Sequence, residues 1–359
     1  MRRTRILFSI EDFKTQFWGR ELSKYNCEIV HNGKKIYSRI IIIISGFFQG
    51  RRIHGFVFRY LNDNESLYES TLFFLRDFLT IFVCKILGVK IIWLMHNIDQ
   101  ETHHNHPILS RIRRKMVGLA SNKIFVTDPN LIEVAERYGI KKKKLDWTCF
   151  GEVKRGELNQ KNVELKEKIV RFKESLMRLG NSKVIVGLCV SEPAKKKNHY
   201  LRADSIIGKC EEDDDYCVGL VMIGNYPEGR EFESAKERMT TTPYILLIEE
   251  SFSVNEEFIS EQIDFFYRGL TDQSVAYTLY VAAGLGKPMI VQNTGALPLI
   301  VDRENLGYVI DDKETGTPDK IVSYIQSWNP DYTQPFLKER SWEIGAKKLL
   351  QAIQKNEDD

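Results

Sequence analysis

Residues 271–295 read TDQSVAYTLYVAAGLGKPMIVQNTG, and this stretch decides the fold that we expect for the whole chain. From Val275 to Ala283, apolar and small residues recur every three or four positions, which is the spacing of a helix with a slim buried face. The glycines and the proline at 284–288 end that helix, because glycine favours a left-handed exit and proline cannot continue the hydrogen bonding. The apolar residues 289–291 then predict a buried strand directly after the turn.

The amino end of this helix predicts an anion site. Thr271 or Asp272 can cap the helix, so its first unpaired N–H groups are expected to face outward beside Ser274. Free N–H groups and the positive end of the helix dipole together favour a bound phosphate. Capping without any ligand is the alternative interpretation of the same residues.

Short apolar runs alternate with helical segments over the rest of the chain, as expected for strands buried on both faces of a parallel sheet. We expect strands at 5–10, 40–44, 56–60, 89–94, 123–128, 183–189, 217–224, 244–248 and 264–267. The predicted fold class is α/β, with two Rossmann-like doubly wound parallel sheets that face a central cleft. The domains are expected at 1–160 and 161–335, and a helix in 336–359 is expected to pack back toward the first domain.

The composition is that of an ordinary globular protein. The 359 residues are 43% hydrophobic and 28% charged, and no apolar run is long enough to span a membrane. The six cysteines show no close pairing, so neither a zinc site nor a disulfide framework is indicated. No signal-peptide core follows the first arginines, and we therefore expect a cytoplasmic protein.

The net charge of +3 is unevenly distributed. Residues 1–150 carry 25 Lys and Arg against 14 Asp and Glu, a balance of +11, whereas the remainder carries 27 against 35, a balance of −8. A basic half with clusters at 51–52, 113–115 and 141–144 could meet anionic lipid headgroups or a phosphate-bearing substrate, or form a solvated face. Nucleic acid is not expected as a partner, because no nucleic-acid-binding motif accompanies the charge.

Polar residues at the strand ends are the candidate site residues, because ligands of open parallel sheets bind beyond the carboxyl ends of the strands. In the first half, His96, Asp99, Glu101 and His103 follow a very apolar strand, and a histidine or a carboxylate there could act as a general base. A structural histidine or a metal site is the alternative. In the second half, the strand ends carry the lysines 195–197, Gly224, Asn225, Glu249 and the residues 268–274 and 292–295.

These residues belong to motifs that identify a family resemblance. The first half contains VFRYLND, GVKIIWLMHNIDQE and SNKIFVTDPNLIEVAERYGI, and the second half contains IGNYPEGRE and the stretch FFYRGLTDQSVAYTLYVAAGLGKPMIVQNTG. Over nearly its whole length the sequence resembles the bacterial GT-B glycosyltransferases, which use nucleotide sugars to build surface polysaccharides such as capsule and lipopolysaccharide. The run ending in HNIDQE is similar to an H-N-x-x-P-H-E motif, with Gln100 and Glu101 in place of its proline and second histidine.

The resemblance implies a UDP- or GDP-linked sugar bound by the second half and a glycan or lipid-linked acceptor bound by the first, with no further cofactor and no metal. It implies that Lys196 or Lys197 contacts the diphosphate and that Thr271, Gln273 and Ser274 hold phosphate oxygens. It places Glu249 near the base and ribose, and Asn293, Thr294 and Gly295 near the sugar, with Gly224 and Asn225 beside the donor. A basic first half could also touch an anionic membrane.

Three other functions remain open from the sequence. Many relatives carry two glutamates eight residues apart around the central helix, where this chain has Gln273 and Val281, and a non-catalytic partner protein is therefore one alternative. A nucleotide-sugar epimerase is the second. A metal-dependent transferase using the acidic run 213–215 is the third, although such a run is also typical of a surface turn.

Overall fold

The computed structural model describes residues 3–33, 35–101, 104–152, 158–190, 202–213, 215–225, 230–311 and 316–354. The chain forms two compact units. Unit 1 consists of residues 1–151, 273–275 and 339–359, and unit 2 consists of residues 152–272 and 276–338. Each unit contains one sheet, so the predicted α/β class with two parallel sheets is confirmed.

The sheet of unit 1 has six parallel strands in the order β2-β1-β3-β4-β5-β6. Its strands are β1 (Thr4–Phe8), β2 (Cys27–Val30), β3 (Gly55–Phe58), β4 (Lys90–Leu94), β5 (Lys123–Val126) and β6 (Leu145–Trp147). Its helices in this part of the chain are α1 (Phe13–Ser23), α2 (Ser38–Phe48), α3 (Leu67–Ile86), α4 (Pro107–Ala120) and α5 (Leu131–Arg137). In β3, β4 and β5 every residue is buried except Lys90 and Lys123, which is typical of a parallel sheet covered by helices.

The sheet of unit 2 runs in the order β10-β9-β7-β11-β12-β13, and all of these pairings are parallel. Its strands are β7 (Lys183–Val190), β8 (Gly208–Lys209), β9 (Tyr216–Ile223), β10 (Ile245–Ile248), β11 (Phe265–Arg268), β12 (Met289–Gln292) and β13 (Gly307–Ile310), of which β8 pairs antiparallel with β9. Its helices are α6 (Gln160–Arg178), α7 (Arg230–Thr241), α8 (Glu256–Ile259), α9 (Tyr277–Gly284), α10 (Leu297–Arg303), α11 (Thr317–Ser327) and α12 (Thr333–Glu339).

The end of the chain packs on α1 in unit 1 through α13 (Trp342–Gln354). The hydroxyl of Thr148 donates to the Gly345 carbonyl at 3.1 Å, and a Cβ on Gly345 would lie 2.4 Å from the Cys149 carbonyl oxygen. The helical pattern after residue 336 contains a break, because α12 and α13 are separate helices. Between them the buried Arg340 donates to Asp128 at 2.7 Å, and this ion pair ties the break in the helix to the end of β5.

The strand predicted at 40–44 is wrong, since these isoleucines lie in helix α2. A short apolar run does not distinguish a strand from a helix by its periodicity. Of the five isoleucines only Ile43 is fully buried, and Ile41 and Ile44 are exposed. Among the described residues, no helix combines the length and apolar character needed to cross a membrane.

The helix predicted from Thr271 or Asp272 begins later, at Tyr277, and its N-cap residue Ala276 makes no side-chain capping bond. The carbonyl of Asp272 accepts the N–H of Ala296 at 3.1 Å, and the carbonyl of Gln273 accepts the N–H of Ile98 at 3.0 Å. These two carbonyls would have to accept the N–H groups four residues later if the helix began there. The predicted turn is confirmed, because α9 ends at Gly284 and Gly286 has a left-handed backbone with φ of 64°.

Candidate functional site

The strand order of unit 1 identifies where a ligand is expected in that unit. After β1 the chain continues to β2 on one side and later to β3 on the other, so the sheet order reverses between β1 and β3. Ligands of open α/β sheets bind at the carboxyl ends of the strands beside such a reversal. The residues that leave these two strands are joined, since the Arg59 N–H donates to the Ser9 hydroxyl at 2.8 Å.

Arg59 is the centre of the polar cluster at this edge. Its side chain is fully buried and makes a bidentate ion pair with Asp12, with distances of 2.6 and 2.9 Å. It also donates to the Thr15 hydroxyl at 2.6 Å and to Nε2 of His96 at 3.2 Å. Asp12 and Thr15 form the capping box of α1 as well, so this helix start and the guanidinium hold each other in place. A buried guanidinium with so many partners gives the site a rigid cationic base.

His96 lies against this guanidinium and is itself buried. Its ring stacks on Tyr60 with centroids 4.1 Å apart and planes 10° apart. Burial, followed by the charges of Arg59 and Lys14, holds the pKa of His96 well below 6.5, so the ring is neutral. Because Nε2 accepts from Arg59, the neutral ring carries its proton on Nδ1 and acts there as a hydrogen-bond donor. This arrangement favours positioning over the general-base role predicted for His96.

Two further groups in this cluster have perturbed chemistry. Burial and the neighbouring Arg59 charge lower the pKa of Lys14 to about 8, while Asp12 acts in the opposite direction. The Lys14 ammonium donates to the Tyr60 hydroxyl at 3.4 Å, and burial raises the pKa of Tyr60. Tyr60 also has a left-handed backbone with φ of 27°, which is strained for a side chain of this type. Perturbed pKa values and local strain together at a strand end are typical of a functional site.

The two acids predicted as catalytic lie in the loop after β4 and differ in their surroundings. Glu101 is buried and forms an ion pair with Arg114, which also donates to the Asn97 and Ile98 carbonyls at 3.1 and 2.9 Å. Its carboxylate therefore fixes the shape of the loop. Asp99 accepts the N–H of Gln273 at 3.4 Å through Oδ1, within unit 1. The predicted candidate His103 lies outside the described residues.

In unit 2 the strand order reverses between β7 and β11, and this reversal is the expected ligand position in that unit. The lysines 195–197, which include the predicted Lys196 and Lys197, follow β7 but lie outside the described residues. Arg268, the last residue of β11, is only 8% exposed. Its Nη2 donates to the Thr278 hydroxyl in the first turn of α9, and its Nε has no hydrogen-bond partner among the described residues.

The helix that the sequence placed beside Ser274 begins three residues later, at Tyr277. Thr271 and Ser274 precede the helix, and Ser274 is buried. The positive end of the helix dipole lies instead at Tyr277 and Thr278, and Arg268 adds a full charge beside it. A buried N–H without an acceptor costs about 1–3 kcal/mol, and a phosphate oxygen would satisfy it.

The remaining predicted donor residues fall in two groups within unit 2. In the first, the Thr294 hydroxyl donates to the Leu270 carbonyl at 2.9 Å, and Gly295 has φ of 72°. A Cβ on Gly295 would lie 2.5 Å from the Asp272 carbonyl oxygen, so only glycine allows this loop to pack so closely, while Asn293 is exposed.

In the second group, Gly224 and Glu249 follow the paired strands β9 and β10, and the Gly224 N–H donates to the Ile248 carbonyl at 3.0 Å. Asn225 is exposed, and the exposed carboxylate of Glu249 forms an ion pair with Lys236. Within the described residues, no group of three His, Cys, Asp or Glu side chains is placed to hold a metal ion.

Sequence reasoning missed Arg59 and Lys14 as site residues, and it placed Arg268 at a strand end without assigning it a role. The signal was present for two of them, because Arg59 and Arg268 each follow three apolar residues of a buried strand, in FVFR and FFYR. A charged residue at the carboxyl end of such a strand is a site candidate for the same reason as the histidine after β4. Lys14 gave no such signal, since it lies in the first turn of an ordinary helix.

The fold of this chain is similar to that of several solved structures. HepE from Anabaena in complex with UDP-glucose matches with a TM-score of 0.62 at 10% identity, over 98% of each chain. The lipopolysaccharide outer core galactosyltransferase WaaB matches with a TM-score of 0.59 at 11% identity, over 98% of this chain and 99% of that one. This chain has the GT-B fold.

Likeness at this identity establishes the GT-B fold and leaves the reaction open. UDP-GlcNAc 2-epimerase from Neisseria meningitidis, bound to UDP-GlcNAc, matches with a TM-score of 0.50 at 13% identity, over 99% of this chain and 100% of that one. No protein-family model matches the sequence, and no curated protein matches it. The two strand-end sites therefore carry the information on function.

Proposed function

We propose that this protein is a metal-independent hexosyltransferase that moves a sugar from a UDP- or GDP-linked donor to a glycan or lipid-linked saccharide during bacterial surface polysaccharide synthesis. The observation that carries the proposal is Arg268, a buried guanidinium at the strand-order reversal of unit 2, whose Nε–H has no hydrogen-bond partner among the described residues. The similarity to a GT-B structure that holds UDP-glucose supports a nucleotide sugar as the anion. Residues 1–160 would bind the acceptor and residues 161–335 the donor.

On the donor side, Arg268 and the amino end of α9 would stabilise the departing nucleoside diphosphate. As the bond between the anomeric carbon and the β-phosphate oxygen breaks, negative charge grows on that oxygen, and fixed N–H donors stabilise it without reorganisation. Further donor contacts are assigned to Lys196, Lys197, Gly224, Asn225, Glu249, Thr271, Gln273, Ser274, Asn293, Thr294 and Gly295.

On the acceptor side, Asp99 would act as the general base. The acceptor hydroxyl attacks the anomeric carbon and its proton passes to the Asp99 carboxylate, while the electron pair of the broken bond leaves with the nucleoside diphosphate. His96 would orient the acceptor through Nδ1–H, because its Nε2 lone pair is already used by Arg59. Glu101 would hold the loop that carries Asp99 through its ion pair with Arg114.

A lipid-linked acceptor would require the enzyme to work at the inner face of the cytoplasmic membrane. The excess positive charge of residues 1–150 supports a peripheral contact with anionic lipids there.

Two other functions are supported by specific observations. The similarity to UDP-GlcNAc 2-epimerase supports an epimerase, and Gln273 and Val281, where many GT-B relatives have glutamates, support a non-catalytic partner. All three functions require nucleotide binding, so the ligand alone does not separate them.

A two-stage experiment separates the three functions. Thermal-shift measurements against UDP, GDP, ADP and CMP first select the nucleotide, because a ligand that binds the native state raises its melting temperature. The matching nucleotide sugars are then followed by NMR, alone and with an acceptor panel that includes lipid-linked saccharides. Transfer to an acceptor supports the proposal, whereas conversion of the donor sugar alone supports the epimerase. Binding without either reaction supports the non-catalytic partner, and no binding of any nucleotide would contradict all three.

A further inference from the structure

Three neighbouring helices in unit 1, α2, α3 and α4, direct large apolar side chains into solvent. They pack side by side, α2 against α3 and α3 against α4. Phe48 of α2 is 80% exposed, Phe82 of α3 is 55% exposed and Ile108 of α4 is 77% exposed. Most of the exposed large apolar side chains among the described residues lie on these three helices. An apolar surface of this extent usually marks an interaction site.

The buried face of α3 has the opposite character from that of an ordinary helix in a globular protein. Its buried residues are Ser70, Asp77, Thr80 and Cys84, which are small, polar or charged. A helix that covers a sheet normally buries its apolar stripe and exposes its polar one. In α3 no apolar side chain other than Cys84 is fully buried and seven are exposed, so its outer surface suits an apolar or interfacial environment.

A buried ion-pair network holds this helical layer together from within. The Asp77 carboxylate accepts from Arg39 of α2 at 2.9 Å and from Arg113 of α4 at 2.7 Å, and all three side chains are buried. Arg113 therefore has a structural role, and within the basic cluster 113–115 only Lys115 is exposed.

The exposed charges on these helices and next to them are mostly basic. Arg111 and Lys115 of α4 and Lys85 of α3 are exposed, as are Arg51 and Arg52 directly after α2. The three helices contain two acidic residues, of which Asp77 is buried and Glu69 lies in the first turn of α3. Apolar side chains flanked by lysine and arginine are typical of surfaces that lie in the headgroup region of a bilayer.

We infer that the outer face of α2, α3 and α4 docks on an anionic lipid bilayer, with its apolar side chains at the headgroup boundary and its cations on lipid phosphates. A second copy of the chain fits this face less well, because a two-fold contact would set the same basic residues against one another. The inference rests on the proposed function in one respect, since docking would bring unit 1 to a lipid-linked acceptor.

Flotation with lipid vesicles tests this docking surface. We expect the protein to float with vesicles of phosphatidylcholine and phosphatidylglycerol and to float less with phosphatidylcholine alone. Replacing Phe48 and Phe82 together with serine should weaken vesicle partitioning at least about tenfold. Replacing Arg111 and Lys115 with alanine should weaken it about fivefold for each cation removed.

A matched control removes exposed apolar side chains from unit 2. Met177 and Leu179, at the end of α6, are 49% and 52% exposed, and their replacement by serine should leave flotation unchanged. All three variants should melt at the temperature of the native protein, because the changed side chains are exposed. The inference is overturned if the native protein does not float, or if the Phe48 and Phe82 variant floats equally well. It is also overturned if the native protein is a dimer without lipid and that variant is a monomer.

The vesicle assay contains no nucleotide, so its outcome is independent of the donor site. Failure to float with an intact nucleotide-induced thermal shift would overturn the docking inference alone. Flotation without any nucleotide-induced shift would overturn the proposed function alone.

Discussion

Replacing Arg268 with methionine should raise or preserve the stability of the free protein while weakening its affinity for a nucleoside diphosphate. Arg268 is 8% exposed, and its Nε–H has no acceptor among the described residues. An unsatisfied buried donor costs about 1–3 kcal/mol, and an apolar side chain of similar length removes that cost. The half-buried Thr278 hydroxyl loses its partner in the variant, but water can replace the guanidinium there.

The expected loss of affinity follows from the strength of a charged hydrogen bond. Such a bond contributes about 1.5–3 kcal/mol, which corresponds to a Kd increased about tenfold to about 150-fold. At a UDP concentration 100 times the native Kd, binding stabilises the native protein by about 2.7 kcal/mol. A thirtyfold weaker variant would gain only about 0.9 kcal/mol under the same conditions. At about 2–4 °C per kcal/mol, the thermal shift should fall from about 5–10 °C to about 2–4 °C.

Titration calorimetry and thermal unfolding with and without UDP would measure both effects. The matched control is Arg238→Met in the same unit, because Arg238 is exposed and pairs with Asp204 at 3.0 Å at the protein surface. That control should keep the native Kd. A full nucleotide-induced shift in Arg268→Met would refute the assignment of Arg268 to the diphosphate. A large loss of stability without ligand would refute the argument from its unsatisfied Nε–H.

Three further predictions concern unit 1. Asp77→Asn should lower the free energy of unfolding in urea by about 3–5 kcal/mol, because it leaves buried arginines without their counter-charge. As a control, Glu69→Gln at an exposed position should change this free energy by no more than about 0.5 kcal/mol. The pKa of His96 is held well below 6.5, so the unfolded chain takes up this proton first as the pH falls. Stability should therefore decrease below pH 6.5, and His96→Gln should reduce that decrease, as followed by unfolding at several pH values. Glu101→Gln should lower both the stability of the protein and its turnover, because it loosens the loop held by Arg114. Reduced turnover with unchanged stability would instead indicate a direct catalytic role for Glu101.

Local sequence patterns identified most strands of both sheets, but not β2, β6, β8 and β13. The apolar runs at β7, β9, β10, β11 and β12 lie between turn residues and identify these strands to within one or two residues. The run at β4 and its polar exit at His96 were equally clear. These elements are predictable because a strand buried on both faces must be apolar along its whole length, whatever its partners are.

The candidate sites depend on contacts that are distant in the sequence. Arg59 and His96 are 37 residues apart in the sequence, and only the strand order brings them together. As a consequence of this placement, His96 is neutral and donates through Nδ1. The start of α9 is set by the carbonyl of Asp272, which bonds to Ala296 and is therefore not available to a helix. Hydrogen-bond partners and burial decide the protonation state of a side chain, and the residues next to it in the sequence specify neither of them.

The sequence alone determined that the chain has two parallel sheets, that α9 ends in a glycine turn, and that the first half is basic. Only the tertiary structure decided that the isoleucines at 40–44 form a helix, that Arg113 is buried, and that α3 exposes its apolar side chains. An apolar residue lowers its free energy by leaving water in either element, so its hydrophobicity cannot specify which surface will cover it. That choice depends on what lies opposite, and opposite the buried face of α3 the structure places Arg113 of α4, which pairs with Asp77 of α3.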